Sequence, residues 1–284
     1  QKTAYEIRNC DWSSDVCSSD LAVAVAARAG SEEGMRVESE VFADDDAKPI
    51  ARSLTLFRNG LAWDFLERPA GSSQDDATAD REPDELVLHD PARERVVVVD
   101  PSRNVKTQID AIRLERLSVS LAAWARKADD RLVRWAGGPD FGDGIQEKGS
   151  QLELVGPRVR YAVEFTDAPS ADVAQEYRRF ADTAMLLKAL LHPGGIPPFP
   201  RLAINRRVSA AGGIPTAVTL EVDSKAAVIG GRPQVLRSVH KVHPRLLATD
   251  LERIEEAEAR IAVAEAVDLA AFMEPAAEAP AASR

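Results

Sequence analysis

Asn59-Gly60 stands between two runs, 51–58 and 61–66, that carry Leu54 and Leu56, and Trp63 and Phe65, at alternate positions. A two-residue loop needs positive φ at both positions, which Asn and Gly tolerate, so the pair predicts a tight β-hairpin. Loop length then sets the register: Leu56 opposes Trp63, Leu54 opposes Phe65, and all four share one face. An isolated hairpin is marginal in water, so that face demands further strands or helices to cover it.

The rest of the sequence supplies them in the same form. Val37, Ser39 and Val41 alternate with Arg36, Glu38 and Glu40 as in a half-buried strand, and Asp44-Asp45-Asp46 marks a turn. Runs 85–89 and 95–99 are joined by Asp90-Pro91-Ala92-Arg93, and Asp100-Pro101-Ser102-Arg103 follows. Asp then Pro suits the first two positions of a type I turn, so these segments predict a meander. Residues 96–99 are apolar on both faces, as in a sheet centre. Residues 151–154 and 159–165 read as another hairpin, and 216–222 with 234–242 as a last one around the loop 223–232. Residues 69–83 and the Gly-rich 134–147 read as irregular loops.

Helices are expected in four places. Thr107 with Asp110 resembles a capping box, and Ile109, Ile112, Leu117, Leu121 and Trp124 recur at three- to five-residue spacing, as on the buried stripe of an amphipathic helix. Ser170 opens a long helix whose stripe is Val173, Tyr177, Phe180, Ala184, Leu187 and Leu191, stopped by Pro193-Gly194-Gly195. After an extended Pro197-Pro198-Phe199-Pro200, a short helix runs through Arg207. Thr249 with Glu252 forms a second capping box, opening a helix to about Phe272. Strands arrive as successive hairpins rather than alternating with helices. The expected fold is therefore α+β: an antiparallel curved sheet of roughly seven to ten strands, an incomplete barrel, with helices covering one face.

The ends of the chain are read differently. Asp11–Leu21 and Gln1–Ile7 back-translate, codon for codon, to the two ends of a short-read sequencing adapter separated by an index-sized gap. Residues 1–21 are therefore set aside as an adapter artefact. Both cysteines, Cys10 and Cys17, go with them, which removes disulfides, thiolate nucleophiles and cysteine metal sites. The apolar run 22–27 and the small-x-small triplet Ala27-Arg28-Ala29 read as a signal-peptide remnant, 22–29, implying export to the periplasm or cell envelope. Residues 30–273 form the single domain, and the Ala/Pro-rich 274–284 a disordered tail.

Composition narrows the function. The net charge of −10 argues against nucleic acid as a partner, since neutralising phosphates needs a basic surface. No stretch is long and apolar enough for an integral membrane segment. No nucleophile elbow, zinc-protease helix or dinucleotide fingerprint occurs, and no cofactor is expected. His240 and His243 are three apart on an expected strand and so point to opposite faces, against a shared metal. His89-Asp90 could form a dyad, but Asp90 already has a turn role. Asp44-Asp45-Asp46 lacks calcium-loop spacing. Trp63, Phe65, Trp135 and Phe199 are the aromatic candidates for an apolar ligand pocket; Trp63 shares its face with an expected core.

The hairpin ARSLTLFRNGLAWDF, the turn series HDPARERVVVVDPSRN and the late hairpin beginning GGIPTAVTLEV give a layout that resembles the periplasmic lipoprotein-carrier superfamily over about residues 36–242. The chain also looks similar to uncharacterised exported bacterial proteins. The carrier resemblance implies an incomplete antiparallel barrel lidded by helices, with acyl chains held in an apolar cavity. The long helix from Ser170, the insert 69–83 and the C-terminal helix depart from that layout. The leading expectation is a non-catalytic exported protein that binds a lipid or other apolar ligand, or a peptide chain. The alternatives are an envelope interaction module, with an envelope protein as partner and its core filled, and a carboxylate-based hydrolase.

Overall fold

The structure, a computed structural model, describes residues 33–67, 83–139, 141–223 and 234–274. The adapter segment, the export remnant, most of the 69–83 insert, most of the 223–232 loop and nearly all of the C-terminal tail lie outside these residues.

The Asn59-Gly60 hairpin forms as its turn chemistry dictates. Asn59 and Gly60 take φ of 53° and 76°, and β2 (Ala51–Arg58) pairs with β3 (Leu61–Glu67) in the expected register, Leu56 against Trp63 and Leu54 against Phe65. β1 (Met35–Ala43) lies beside β2. On the other side, β4 (Glu85–Asp90), β5 (Arg95–Asp100) and β6 (Val105–Asp110) form the meander. At both Asp-Pro turns the aspartate side chain accepts a backbone N–H three residues on, from Arg93 at 3.2 Å and from Arg103 at 3.1 Å. β7 (Ile145–Lys148), β8 (Gln151–Gly156), β9 (Val159–Asp167), β10 (Gly213–Val222) and β11 (Gln234–His243) continue the sheet on the far side of β1.

With β12 (Glu265–Ala266) the sheet has twelve strands in the order β12-β6-β5-β4-β3-β2-β1-β11-β10-β9-β8-β7. It is curved, open and antiparallel except where β12 runs parallel to β6. The expected fold class is thus the observed one, with more strands than the hairpin signals gave. β7 comes from the stretch read as irregular, and β6 from the stretch read as the start of a helix.

Five helices lie on one face: α1 (Ala111–Arg126), α2 (Arg131–Ala136), α3 (Ala171–Leu191), α4 (Phe199–Ala210) and α6 (Leu269–Met273). α3 starts where expected, with Ser170 Oγ accepting the Val173 N–H at 3.3 Å. Its stripe buries Tyr177, Leu187 and Leu191. Five helical expectations change. Thr107 is no cap: Thr107 and Ile109 are buried on β6, and the helix begins after Asp110. Phe199 and Pro200 belong to α4 itself, since proline is tolerated in a first turn where its missing N–H has no helical partner.

The C-terminal helix is broken. α5 (Ala248–Val263) ends before β12, and Asp268 starts α6 by accepting the Ala271 N–H at 2.8 Å. α5 also packs on the opposite face from the other helices. Ile254 and Ala257 cover Leu56, Trp63, Phe65, Leu86, Leu88, Val97 and Val99, side chains of opposite parity to those under α1 and α3. Its first turn is held by buried Asp250, not by Thr249: the carboxylate accepts the Leu247 N–H at 2.8 Å and pairs with Arg36 at 3.4 Å. The strands β2–β5 are therefore sandwiched, which is why residues 96–99 are apolar throughout. α6 is docked by Arg103, whose guanidinium donates to the carbonyls of Phe272 and Glu274.

Candidate functional site

Phe57, Ala62, His89 and Val96 form one cross-strand row over β2, β3, β4 and β5. They belong to the face under α1 and α3, and Ala62 is too short to fill the space between its larger neighbours. The helices do not fill it either. A cavity of about 320 Å³ opens between this row, Leu114 on α1, and Phe180, Thr183 and Leu186 on α3. That is within the size range of small-ligand sites, roughly 300–1,000 Å³. The hairpin tip, Gly60 and Leu61, and the β4–β5 turn complete the wall.

His89 is the unusual group here. It is 4% exposed, neither ring nitrogen has a hydrogen-bond partner among the described residues, and its ring stands edge-on to Phe180 with centroids 4.8 Å apart. Burial pushes its pKa down to about 3, so the imidazole is neutral across the physiological range. No dyad with Asp90 forms. The Asp90 carboxylate accepts from Arg93 Nη1 at 3.0 Å and Arg95 Nε at 3.1 Å. Burial opposes its charge, but these bonds outweigh that and hold the carboxyl below its usual range.

Charged side chains ring the mouth. Glu94, Glu115, Glu176 and Asp182 contribute carboxylates, against Arg95 and Arg179. Burial raises the pKa of Glu176 against the pull of Arg179. It raises that of Asp182 despite hydrogen bonds from Asn205 at 2.8 Å and Arg178 at 3.3 Å. The mouth therefore favours an uncharged or cationic group over an anion.

None of the four aromatic candidates lines this cavity. Trp63 and Phe65 are in the core beneath α5, with Arg253 stacked 4.7 Å over the Phe65 ring. Trp135 packs edge-on to Phe141 at 5.1 Å and covers Gly156, where a Cβ would come within 2.5 Å of the indole. Phe199 joins the same cluster as Trp135. Trp124 is 58% exposed, and Ile112 is exposed with it, because α1 turns Leu114 and Ala125 inward instead. The lining residues that sequence reasoning passed over are Phe57, Ala62 and Leu114, and His89 was weighed only as half of a dyad. The hairpin register did place Phe57 opposite Ala62, and a large–small pair on a second apolar face is the signal available for a void.

The remaining candidates are placed as follows. Asp44 takes φ of 50° in its turn and its carboxylate accepts the Val235 N–H at 3.0 Å. His240 lies between Ser39 and Ser238, while His243 approaches Glu38 at 3.8 Å. Among the described residues no cluster of three or more His, Cys, Asp or Glu could hold a metal, and no helix is long and apolar enough to cross a membrane. No protein-family model matches the sequence, and none of the curated proteins is significantly similar to it.

Proposed function

We propose that this is a non-catalytic exported protein of the periplasm or envelope that binds an apolar ligand in the cavity between the sheet and α1 and α3. The observation that carries the reading is the cavity itself, with Phe57, Leu61, Ala62, Val96, Leu114 and Phe180 in its walls. An interaction module with a filled core has no use for such a void, because an empty apolar space forfeits packing contacts along its whole lining. The acidic mouth points to a ligand whose polar end is neutral or cationic. Export is supported by the apolar run 22–27 and the triplet that follows it.

The test is titration with N-phenyl-1-naphthylamine, an uncharged dye that fluoresces in apolar surroundings. Saturable binding at micromolar concentration is expected. Thr183→Trp, on the half-buried flank of α3, fills the cavity and should abolish the signal with the fold intact by circular dichroism. Absence of saturable binding to the unsubstituted chain, or undiminished binding to T183W, refutes the reading.

A second reading has one observation in its favour. Glu176 and Asp182 both line the cavity with raised pKa values, the state that a general acid needs. A carboxylate-based hydrolase would show turnover on a panel of nitrophenyl glycosides and esters, lost in Glu176→Gln. The absence of turnover would leave the binding reading alone.

A further inference from the structure

Away from the cavity, the same face of the sheet carries a polar strip. Ser53, Ser39 and His240 stand side by side on β2, β1 and β11. Ser39 Oγ is 2.8 Å from His240 Nδ1, and Ser238 Oγ is 3.1 Å from Nε2, so both ring nitrogens are engaged. Burial, then the charge of Arg201, pushes the His240 pKa down to about 4 and keeps the ring neutral.

Arg201 lies in the first turn of α4. Its Nη1 is buried without a hydrogen-bond partner, and it forms no salt bridge among the described residues. The groups close enough to feel its charge are Tyr161 on β9, Tyr177 and Asp182 on α3, and His240. Asp182, the one carboxylate in that set, accepts from Asn205 and Arg178. Nη1 is the costly group, because it has given up water without gaining an acceptor, while the rest of the side chain is only partly buried. Phenol hydroxyls and a planar guanidinium fork are the donors that carboxylate and phosphate oxygens take.

The strip is separate from the cavity. Phe57, Tyr177 and Phe180 form a contiguous trio of rings, with centroid separations of 5.3 to 6.2 Å. Phe57 and Phe180 line the cavity, while Tyr177 is outside its lining and near enough to Arg201 to feel its charge. Ser39, His240 and Arg201 are only partly buried, so the strip is reachable from solvent.

We propose that Arg201, Tyr161 and Tyr177, over the Ser39–His240 strip, form a second site that binds the oxyanion of a small molecule, a carboxylate or a phosphate. The proposal is independent of what fills the cavity.

Thermal melts of the full chain test it, in sodium phosphate, sodium acetate and sodium chloride at equal ionic strength. The melting temperature should rise saturably with phosphate or acetate beyond chloride. Response to phosphate alone identifies a phosphate ligand, and response to acetate a carboxylate. Arg201→Met should weaken the response at least about tenfold, the scale of a charged hydrogen bond. Tyr161→Phe or Tyr177→Phe should weaken it by about threefold or more. In chloride alone R201M should melt no lower than the unsubstituted chain, because it removes a buried Nη1 that has no acceptor. The proposal is overturned if neither anion acts beyond chloride, if R201M responds undiminished, or if R201M melts lower in chloride, which would mean the protein itself satisfies the guanidinium.

Discussion

The two faces of β2–β5 are built from alternate residues of the same four strands, yet they are finished differently. Under α5, Leu56, Trp63, Phe65, Leu88 and Val97 meet Ile254 and Ala257 in a closed core. On the reverse face, Phe57, Ala62, His89 and Val96 meet α1 and α3 across a void. The faces differ in polarity and in side-chain volume: the second carries Thr55, Asp64 and His89 where the first is apolar, and the first face puts Trp63 where the second puts Ala62, and Leu88 where the second puts His89. An apolar strand face is therefore evidence of burial, and a small residue within it is evidence of a place to bind something.

The largest test of that contrast is Trp63→Ala. It should cost about 3–5 kcal/mol in urea denaturation, since it opens a cavity in a packed core. It should leave naphthylamine affinity within a factor of about two, because the sheet lies between the two sites. A loss of dye binding at unchanged fold would break the comparison.

Next comes His89→Leu. A folded pKa of about 3 against about 6.5 unfolded means that the unfolded chain binds the extra proton between those values. The penalty is absent above about pH 6.5 and grows as pH falls towards 3, and His240 steepens the same acid limb. H89L should therefore gain about 2 kcal/mol more at pH 5 than at pH 8, read from denaturation midpoints. An equal change at both pH values would contradict a buried neutral histidine.

Asp64→Asn tests the opposite sign on the same face. Burial, opposed by a hydrogen bond from Thr55 at 2.8 Å and reinforced by Glu85, raises the Asp64 pKa to about 6. Its contribution is present below the unfolded value near 4 and is lost as pH rises through 6. D64N should stabilise by about 2 kcal/mol at pH 8 and by little at pH 3.5. Trp124→Ser is the smallest: on an exposed helix flank it should stay within about 0.5 kcal/mol.

Local chemistry made much of the fold legible. Positive φ at Asn59-Gly60 and the aspartate turns at Asp90 and Asp100 set the pairing of β2 with β3, of β4 with β5 and of β5 with the strand after it, because these signals act over a few residues. The failures are conflicts between two periods. Val105, Thr107 and Ile109 alternate with Lys106, Gln108 and Asp110, and that period of two continues the meander through β6. A capping pattern at Thr107 competed with it and lost to pairing with β5. Trp124 was assigned to the buried side by spacing, but rotation of α1 is set by what it meets, and it meets α3 and the sheet through Leu114. The site was less legible for the same reason. Trp63, Phe65, Trp135 and Phe199 were chosen for their bulk, and bulk fills space. Cavity walls depend on which small residues from distant segments face one another, here Ala62 and Thr183, and no local pattern records that.

An unclosed sheet leaves two lateral margins where a foreign backbone could extend the ladder. Here the first two residues of the β6 margin, Val105 and Lys106, are paired by the chain's own residues 265–266, the α6 that follows them is held by Arg103, and the β7 margin is a four-residue strand that presents Gln146, Glu147 and Lys148 to water. Partly covered on one flank and made short and charged on the other, the ladder is guarded against runaway self-association. The barrel can thus stay unsealed, and its interior enterable, without the polymerisation hazard that an open β-structure usually carries.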